Sequence, residues 1–599
     1  MKKIKLSVIF SLILLFMVTT GNAADNTQIT YNVSFPEAQA HYADIEMKIT
    51  GLKQDELELK MPVWTPGSYL VREFARNIEG LSASANGKSL SAKKIRKNIW
   101  QLHIAGIGTV VIKYRVYAFE ISVRTSFIDA SHAFLSSPDM FLYPGNMLHS
   151  ASTIHIKPYK AWDKVSTSLE KVNGDVFTRY SPNYDILFDS PIEIGNQEIF
   201  NFDAYGVHYE VCMQGGGNYD KERLKKDLAK VVAEEVAIYG ENPNKHYTFI
   251  IHNALKGGGG LEHLSSTTLG ASRDAYTTER GYQNFLSLAA HEHFHLWNVK
   301  RLRPIALGPF DYDNENYTTN LWIAEGFTAY YQDIIVRRTQ LYSPENYLGM
   351  LAEDINLLEN SEGAKVQTLA ESSYDAWIKA YRPNENSGNS TISYYTKGSI
   401  VALLLDLEII NDSKGQYSLD DVMRYMYNEY YKTKQRGYTD AEFKAGLEKF
   451  AGKNLDDFYA KYINGLTPVD YAYYLGLAGY KLTNELADNN DPALGITTIP
   501  NIPRLIVATV TRGSAAWKDG INVNDEIIAI DGEPALEAGK LLSGKKVGDK
   551  IKVTIARDGI LMDIPVTLLK STKVKYKVDE LPNPTAQQLV VRKKWLTLK

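Results

Sequence analysis

Cysteine is nearly absent from this sequence. Cys212 is the single cysteine in 599 residues, so no intrachain disulfide can form and the fold must rely on cores of ordinary size. It lies in the apolar segment "YEVCM", where we expect a small core residue rather than a nucleophile. A large charge of either sign is also missing: the formal net charge of −4 argues against nucleic acid or an anionic membrane as a partner.

The chain opens on a short apolar run. Lys2, Lys3 and Lys5 precede the apolar run "LSVIFSLILLFMV", and the small residues "GNA" lead up to a cut after Ala23. This pattern predicts a secretory signal peptide over residues 1–23, and therefore a periplasmic or secreted protein. An uncleaved anchor is the alternative, but the run is shorter than a full membrane span. Cleavage takes the formal charge to −7 and leaves no stable membrane span.

Alternating and β-branched segments dominate residues 24–192 and predict a β-rich N-terminal domain. One segment inside it, Met61–Asn77 ("MPVWTPGSYLVREFARN"), is too aromatic and too rich in proline and glycine for a plain strand. Two interpretations of this segment stay open: a rigid loop that faces a site, or a packed corner of a sandwich.

Helical patterns become frequent over residues 193–478. The segment "KERLKKDLAKVVAEEVAIYG" predicts an amphipathic helix that ends at Gly240. The strand "HYTFIIHN" is followed by "LKGGGGLEH", whose four glycines permit close approach of another chain. This region is therefore expected to be a mixed α/β lobe that passes into a helical one.

The pattern changes again over residues 479–572, where a strand, a short helix and further strands are predicted. Ser514 can cap that helix and Gly520 can end it. Residues 573–599 are left as a C-terminal tail.

The segment "HEHFH" holds three histidines within five residues. A helix turns by about 100° per residue, so His291 and His295 lie on one face, whereas His293 points away and is expected at a packing or surface position. The H-E-x-x-H pattern supplies two imidazoles for zinc and, in Glu292, a carboxylate that can take a proton from water. Glu325 is the candidate third ligand, because its apolar surroundings in "LWIAEGFTAYY" predict a buried carboxylate that needs a strong partner.

Several segments together resemble one family. They are "MPVWTPGSYLVREFARN", "GGLEH", "HEHFHLWNVKRLRP", "LGPFDY", "LWIAEGFT", "DAWIKAYRP" and "ISYYTKGS". In this order they resemble the glycyl aminopeptidase family of PDZ-containing zinc metallopeptidases, which is related to aminopeptidase N. The resemblance implies a multidomain α+β protein: a β-rich N-terminal domain, a thermolysin-like α/β plus α-helical catalytic domain, and a C-terminal PDZ domain.

The resemblance also implies a role for individual residues at the metal. His291, His295 and Glu325 would bind one Zn²⁺ per chain, and Glu292 would act as the general base. Tyr395 in "SYYTKGS" matches the tyrosine of the Y-x-K-G pattern, which in aminopeptidase N relatives donates a hydrogen bond to the oxyanion of the tetrahedral intermediate.

Further roles concern the substrate. Glu262 in "GGLEH" matches the glutamate that binds the free α-amino group in those relatives. His263 stands where they have asparagine and receives no role. The adjacent Gly259 and Gly260 are expected to pair with the substrate backbone. Tyr394, beside the candidate oxyanion donor, is expected to be a packing residue.

The sequence thus predicts a zinc aminopeptidase that hydrolyses N-terminal residues, Gly or Ala favoured, from peptides. Two alternatives remain: an endopeptidase that uses the same zinc, and a catalytically silent PDZ protein that binds peptides. The PDZ domain could also bind a peptide C-terminus, although "ALGI" departs from the usual G-L-G-F of the carboxylate-binding loop.

Overall fold

The computed structural model describes residues 27–501, 504–537 and 540–597. The predicted signal peptide, residues 1–23, lies outside these ranges. None of the helices within them is both long enough and apolar enough to span a membrane.

The N-terminal part is built from β-sheets, as predicted. Strand Tyr42–Thr50 illustrates why: every second side chain, from Ala43 to Ile49, is buried on one face of its sheet. Among the described residues the largest sheet has eight strands, in the order Glu170–Val172, Asp175–Ser181, Ser152–Lys157, Gln28–Ser34, Tyr42–Thr50, Thr109–Tyr117, Ile78–Ala85 and Lys88–Leu90.

Two smaller sheets complete this N-terminal domain. Over the described ranges, the first contains Lys164–Ser166, Ile192–Gly195, Ala133–Leu135, Thr125–Ile128 and Phe119–Ser122. The second contains Tyr143–Pro144, Glu56–Lys60, Ile99–His103 and Ala92–Arg96. One hydrophobic core lies between the sheets.

The central domain begins with a mixed sheet. Its strand order is Glu198–Ala204, Val207–Gln214, His246–Ala254, Ser266–Ser272 and Gly260–Glu262, so the last of these forms an open edge. Helix Lys221–Tyr239 packs on the sheet; Asp220 caps its start and Gly240, in the left-handed conformation, ends it as predicted. Helix Glu279–Phe294, capped by Thr278, crosses next to the edge strand.

A helical region follows and shares a single large core with the sheet. Its principal helices are Trp322–Phe327 (a π-helix), Thr328–Arg338, Pro344–Glu359, Leu369–Tyr374, Tyr394–Asp412, Leu419–Met426, Tyr427–Thr433, Asp440–Ala451, Tyr459–Ile463 and Tyr471–Leu477.

The C-terminal domain has its own core. Its sheet contains strands Ile496–Asn501, Arg504–Val510, Glu526–Ile530, Lys550–Arg557 and Ile560–Thr567. Ser514 caps and Gly520 ends the short helix Ala515–Asp519, as predicted.

Residues beyond this domain return to the central one. Strand Tyr576–Glu580 pairs antiparallel with Tyr480–Asn484, with Asn484 opposite Tyr576. Helix Ala586–Leu596 follows, and Trp595 is fully buried in the core of the central domain. The segment expected as a tail is thus a strand and a helix, and the C-terminal domain is inserted between two paired strands.

The Met61–Asn77 segment docks the N-terminal domain onto the central one. Trp64 is fully buried and packs edge-on against Trp377, with 5.1 Å between ring centroids. The indole N–H of Trp64 donates to the Asp311 carbonyl at 2.7 Å. Tyr69 also packs against Trp377. The segment is both a packed junction and, through Gly67, a wall of the site described next.

Candidate metal centre and active site

Helix Glu279–Phe294 positions the two candidate histidine ligands. His291 is in its last turn and His295 is its C-cap, one turn further along the same face. Their Nε2 atoms lie 3.1 Å apart, and both side chains are buried. The spacing on the helix therefore produces the convergence that the sequence predicted.

Glu325 enters the same space from the π-helix Trp322–Phe327. Its Oε2 lies 3.6 Å from Nε2 of His291 and 3.3 Å from Nε2 of His295. Helix Tyr394–Asp412 presses on this π-helix: a Cβ at Gly326 would lie 2.6 Å from Cα of Gly398, so neither glycine has room for a side chain. Close backbone packing thus holds Glu325 in place.

The three groups meet the geometric requirements of a zinc site. In a tetrahedral site with bonds of about 2.1 Å, ligand atoms stand about 3.4 Å apart, close to the observed separations. Nδ1 of His291 contacts Oε1 of Gln332 at 2.7 Å, and Nδ1 of His295 contacts the Asn298 carbonyl at 2.9 Å. These acceptors fix each ring with its proton on Nδ1, which leaves the Nε2 lone pair for a cation.

The charge of the site also favours a cation. Burial favours the neutral form of Glu325, but His295 and His291 outweigh it and hold the pKa of its carboxyl at about 2. Two further buried carboxylates, Glu262 and Glu292, have ligand atoms within 4.8 Å of each other and of His295. Glu262 Oε1 and Glu292 Oε2 accept no hydrogen bond from any described residue. Buried acceptors of this kind need positive partners.

Glu292 differs from Glu325 in its protonation. Burial raises the pKa of Glu292 to about 8; Glu262 and Glu325 add to the rise, while His291 and Arg124 oppose it. A pKa near neutrality suits a group that takes up and returns a proton.

Glycines at the edge strand and in the Met61–Asn77 segment make room for these carboxylates. A Cβ at Gly260 would lie 2.2 Å from Oε1 of Glu292, and a Cβ at Gly67 would lie 2.5 Å from both carboxylate oxygens of Glu262. A Cβ at Gly257 would collide with the Ala271 carbonyl at 2.2 Å. The bare backbone of the glycine run therefore serves close contacts within this chain.

The tyrosine pair begins helix Tyr394–Asp412. The Tyr395 ring faces the His291 ring at 6.1 Å between centroids and stacks on Tyr394 at 4.7 Å. Tyr394 is almost fully buried, in agreement with its expected packing position. Burial, with Glu325 adding to the effect, raises the pKa of Tyr395 well above its usual value, so its phenol stays a hydrogen-bond donor.

His293 lies in the core, away from the other two histidines. Its Nδ1 contacts the buried carboxyl of Glu235 and its ring packs against Phe249 and Tyr247. Burial lowers the pKa of His293 to about 3 and raises that of Glu235, so both groups are neutral. A neutral buried pair is a packing element, which matches one of the two positions predicted for His293.

His263, which received no role, anchors the end of the edge strand. Its Nδ1 contacts Asp189 of the N-terminal domain at 3.2 Å, and Asp189 also accepts from the Leu264 N–H at 2.7 Å and from Lys300 at 2.7 Å. Burial opposes ionisation of Asp189, but Lys300 and His263 hold its pKa at about 2. This contact fixes the backbone just after Glu262.

Sequence reasoning missed the residues that the N-terminal domain brings to the site. Gly67 lay in a segment that could have been suspected, since its "TPGS" turn is flanked by buried aromatics. Asp189 and Arg124 carried no signal, because each acts through a contact between domains. Gln332, one turn after Thr328 on the helix that follows Glu325, could have been found from its helical spacing.

Family models match three parts of this chain. The M61 peptidase N-terminal domain matches residues 30–196, the M61 glycyl aminopeptidase matches residues 284–401, and a PDZ domain matches residues 492–568. The predicted order of a β-rich domain, a peptidase domain and a PDZ domain is thereby confirmed. No curated protein matches the chain.

Solved structures resemble the chain as well. The crystal structure of an aminopeptidase N family protein from Idiomarina loihiensis has a TM-score of 0.89 at 30% identity, over 95% of this chain and 100% of that one. An M1 zinc metallopeptidase from Deinococcus radiodurans has a TM-score of 0.44 at 12% identity, over 71% of this chain and 90% of that one. From the family models and the similarity over the whole Idiomarina chain, this chain belongs to the M61 glycyl aminopeptidase family and is a metallopeptidase.

Proposed function

We propose that this protein is a zinc aminopeptidase that removes small N-terminal residues, Gly or Ala, from peptides. One Zn²⁺ per chain would be bound by His291, His295 and Glu325. The observation that carries the proposal is the convergence of two imidazole nitrogens and a carboxylate at 3.1 to 3.6 Å, in a buried site that holds two further carboxylates. Such a set is complete for catalysis by zinc with three protein ligands.

Glu292 is the proposed general base. When bound, zinc supplies a Lewis acid that polarises the scissile carbonyl and acidifies a water molecule. Glu292 would take a proton from the attacking water and would return it to the leaving amine. Its position beside Gly260 holds the carboxylate at the edge where the substrate backbone would lie.

Glu262 is the proposed partner of the substrate's α-ammonium group. Its buried Oε1 atom lacks a hydrogen-bond donor within the described chain, and an ammonium would supply one. The Gly67 backbone packs against this carboxylate, since a Cβ there would lie 2.5 Å from both of its oxygens. We therefore expect little room upstream of the first residue of the substrate. The same tight wall favours a first residue with a small side chain, and it favours exopeptidase over endopeptidase cleavage.

Tyr395 is the proposed donor to the oxyanion. Its raised pKa keeps the phenol protonated at neutral pH, and its ring lies next to a zinc ligand. One donor aimed at the developing charge contributes a few kcal/mol, so Tyr395→Phe should lower the rate without loss of metal. Gly259 and Gly260, at the open edge of the sheet, are the proposed backbone partners of the substrate.

Two further parts of the proposal concern the rest of the chain. We infer that the protein is exported to the periplasm or beyond it, on the basis of the N-terminal apolar segment. The PDZ domain is proposed to bind peptide C-termini along its edge strand Ile496–Asn501.

A metal and substrate assay tests the proposed function. Purified protein should contain about one zinc per chain and should hydrolyse Gly- and Ala-terminated peptides, while the same peptides with an acetylated N-terminus stay intact. Glu262→Ala should weaken cleavage of free peptides by about 2–4 kcal/mol, because the ammonium loses its partner. Rapid internal cleavage of blocked peptides would establish the endopeptidase alternative. Zinc-loaded protein without any hydrolysis would support the silent peptide-binding alternative.

A further inference from the structure

An arginine from the N-terminal domain reaches the active-site edge strand. Arg124 lies in the two-residue turn between strands Phe119–Ser122 and Thr125–Ile128. Its Nη2 donates to the Gly260 carbonyl at 3.1 Å, and its Nη1 lies 3.7 Å from the Cβ position of Gly259. The guanidinium therefore lies beside Gly259 and Gly260, on the side where a bound peptide would extend away from the metal site.

Most donors of this guanidinium are free. Arg124 makes a single side-chain hydrogen bond to the described residues, its Nε is buried without an acceptor, and it forms no ion pair with any described carboxylate. A guanidinium offers five N–H donors, and a partly buried one without an anion is unusual. The arrangement leaves donors for a ligand that is not part of the chain.

A second arginine without an ion pair lies near the first. Arg72 bonds through Nε and Nη2 only to Ser68 Oγ, at 3.3 and 2.9 Å. Arg72 lines a cavity with Thr125, the chain neighbour of Arg124. Burial lowers the pKa of Arg72 and the charge of Arg124 lowers it further, whereas Glu120 and Asp139 raise it. Across the described residues, no carboxylate forms an ion pair with either.

The cleft is thus polarised along the edge strand. The Glu262 carboxylate makes one end of the edge strand negative, and Arg124 with Arg72 makes the other end positive. Glu262 is two residues from Gly260, which corresponds to about 7 Å along a strand. An extended dipeptide spans a similar length, about 7 Å. A peptide whose ammonium group meets Glu262 would run antiparallel to the strand and present its carboxylate near Arg124.

We propose that Arg124, supported by Arg72, binds the C-terminal carboxylate of very short peptides, so that dipeptides with both termini free are the preferred substrates. This inference rests on the proposed aminopeptidase function. Arg124 is assigned as a specificity residue that contacts the substrate, and Arg72 as a second cation that strengthens the positive end.

A comparison of acid and amide substrates tests the proposal. We would measure kcat and KM for Gly-Leu, for Gly-Leu-amide and for glycyl-p-nitroanilide, which has no carboxylate. Wild type should prefer the acid over the amide by at least tenfold in kcat/KM, mainly through KM. Arg124→Gln keeps a donor for the Gly260 carbonyl but loses the charge, and should reduce the acid-to-amide ratio at least tenfold. Arg72→Gln should reduce it less.

Controls separate this effect from a folding defect. Arg76→Gln changes an exposed arginine of the same docking segment and should leave the acid-to-amide ratio at the wild-type value. If Arg124→Gln does not fold, Arg124→Met, which also removes the charge, and Arg72→Gln carry the same comparison. An acid-to-amide ratio that is near one in wild type, or unchanged in these variants, would overturn the inference while the aminopeptidase function stands. If the wild-type protein cleaves none of the three substrates, the proposed function is overturned, and the inference with it.

Discussion

Gly67 belongs to the N-terminal domain, yet its substitution should reduce the catalytic activity of the central domain. Gly67 adopts φ +87°, a conformation that side chains rarely adopt, and a Cβ there would lie 2.5 Å from both oxygens of the Glu262 carboxylate. Gly67→Ala therefore introduces two separate costs: backbone strain, and a collision with the proposed ammonium-binding group.

The magnitude follows from these two terms. Non-bonded heavy atoms rest about 3.5 Å apart, so the carboxylate must retreat by about 1 Å. A misplacement of about 1 Å in a substrate-positioning group costs roughly 100-fold in rate. The strained backbone costs about 1–3 kcal/mol of folding stability. We expect kcat/KM to fall about 100-fold, while the protein stays folded.

The assay is kcat/KM for glycyl-p-nitroanilide together with the melting temperature. Gly106→Ala is the matched control, because Gly106 has φ +73° in the same domain but nothing within 4 Å of its Cβ position. Both variants should lose similar stability, and Gly67→Ala alone should lose activity. Equal activity of the two variants would refute the assignment of Gly67 as the wall of the amine site.

Three further predictions concern individual groups. Glu292→Gln should retain zinc, measured by elemental analysis, and lose turnover by orders of magnitude, because an amide cannot accept the proton; an empty metal site would place Glu292 among the ligands. His293→Ala should also retain zinc, but its free energy of unfolding should fall by about 1–3 kcal/mol, because Glu235 loses its buried partner. Loss of metal from this variant would contradict the helical-face argument. Burial lowers the pKa of Lys397 to about 8, against a raising effect of Glu359. The unfolded chain then binds the proton more tightly, so wild-type stability should rise from about pH 8 to about pH 10.4, and Lys397→Met should lack this rise in denaturant melts.

Local periodicity explains which parts of the site could be predicted. The faces of His291, His293 and His295 follow from 3.6 residues per turn, and the helix carries that geometry wherever it packs. Glu325 could be proposed because a carboxylate among apolar residues needs a partner. These inferences required no knowledge of tertiary structure beyond burial.

Contacts between domains could not be predicted in the same way. Gly67 and Arg124 reach the edge strand only because the N-terminal domain docks through Trp64, and no spacing in the sequence encodes that docking. The segment after residue 573 is a different case. Thr585 with Gln588 forms a capping box, and Val591 and Trp595 are one helical turn apart, so a buried helix could have been predicted there.

The return of the chain after the PDZ domain has a consequence for the order of synthesis. Trp595 and Val591 belong to the core of the peptidase domain, yet they are made after the whole PDZ domain. The core of the peptidase domain therefore cannot be completed before the PDZ domain has been synthesised. A nascent chain that still lacks helix Ala586–Leu596 therefore has an incomplete peptidase core. Because Asn484 and Tyr576 face each other in this antiparallel strand pair, the domain inserted between them could be exchanged for another without displacing either strand end.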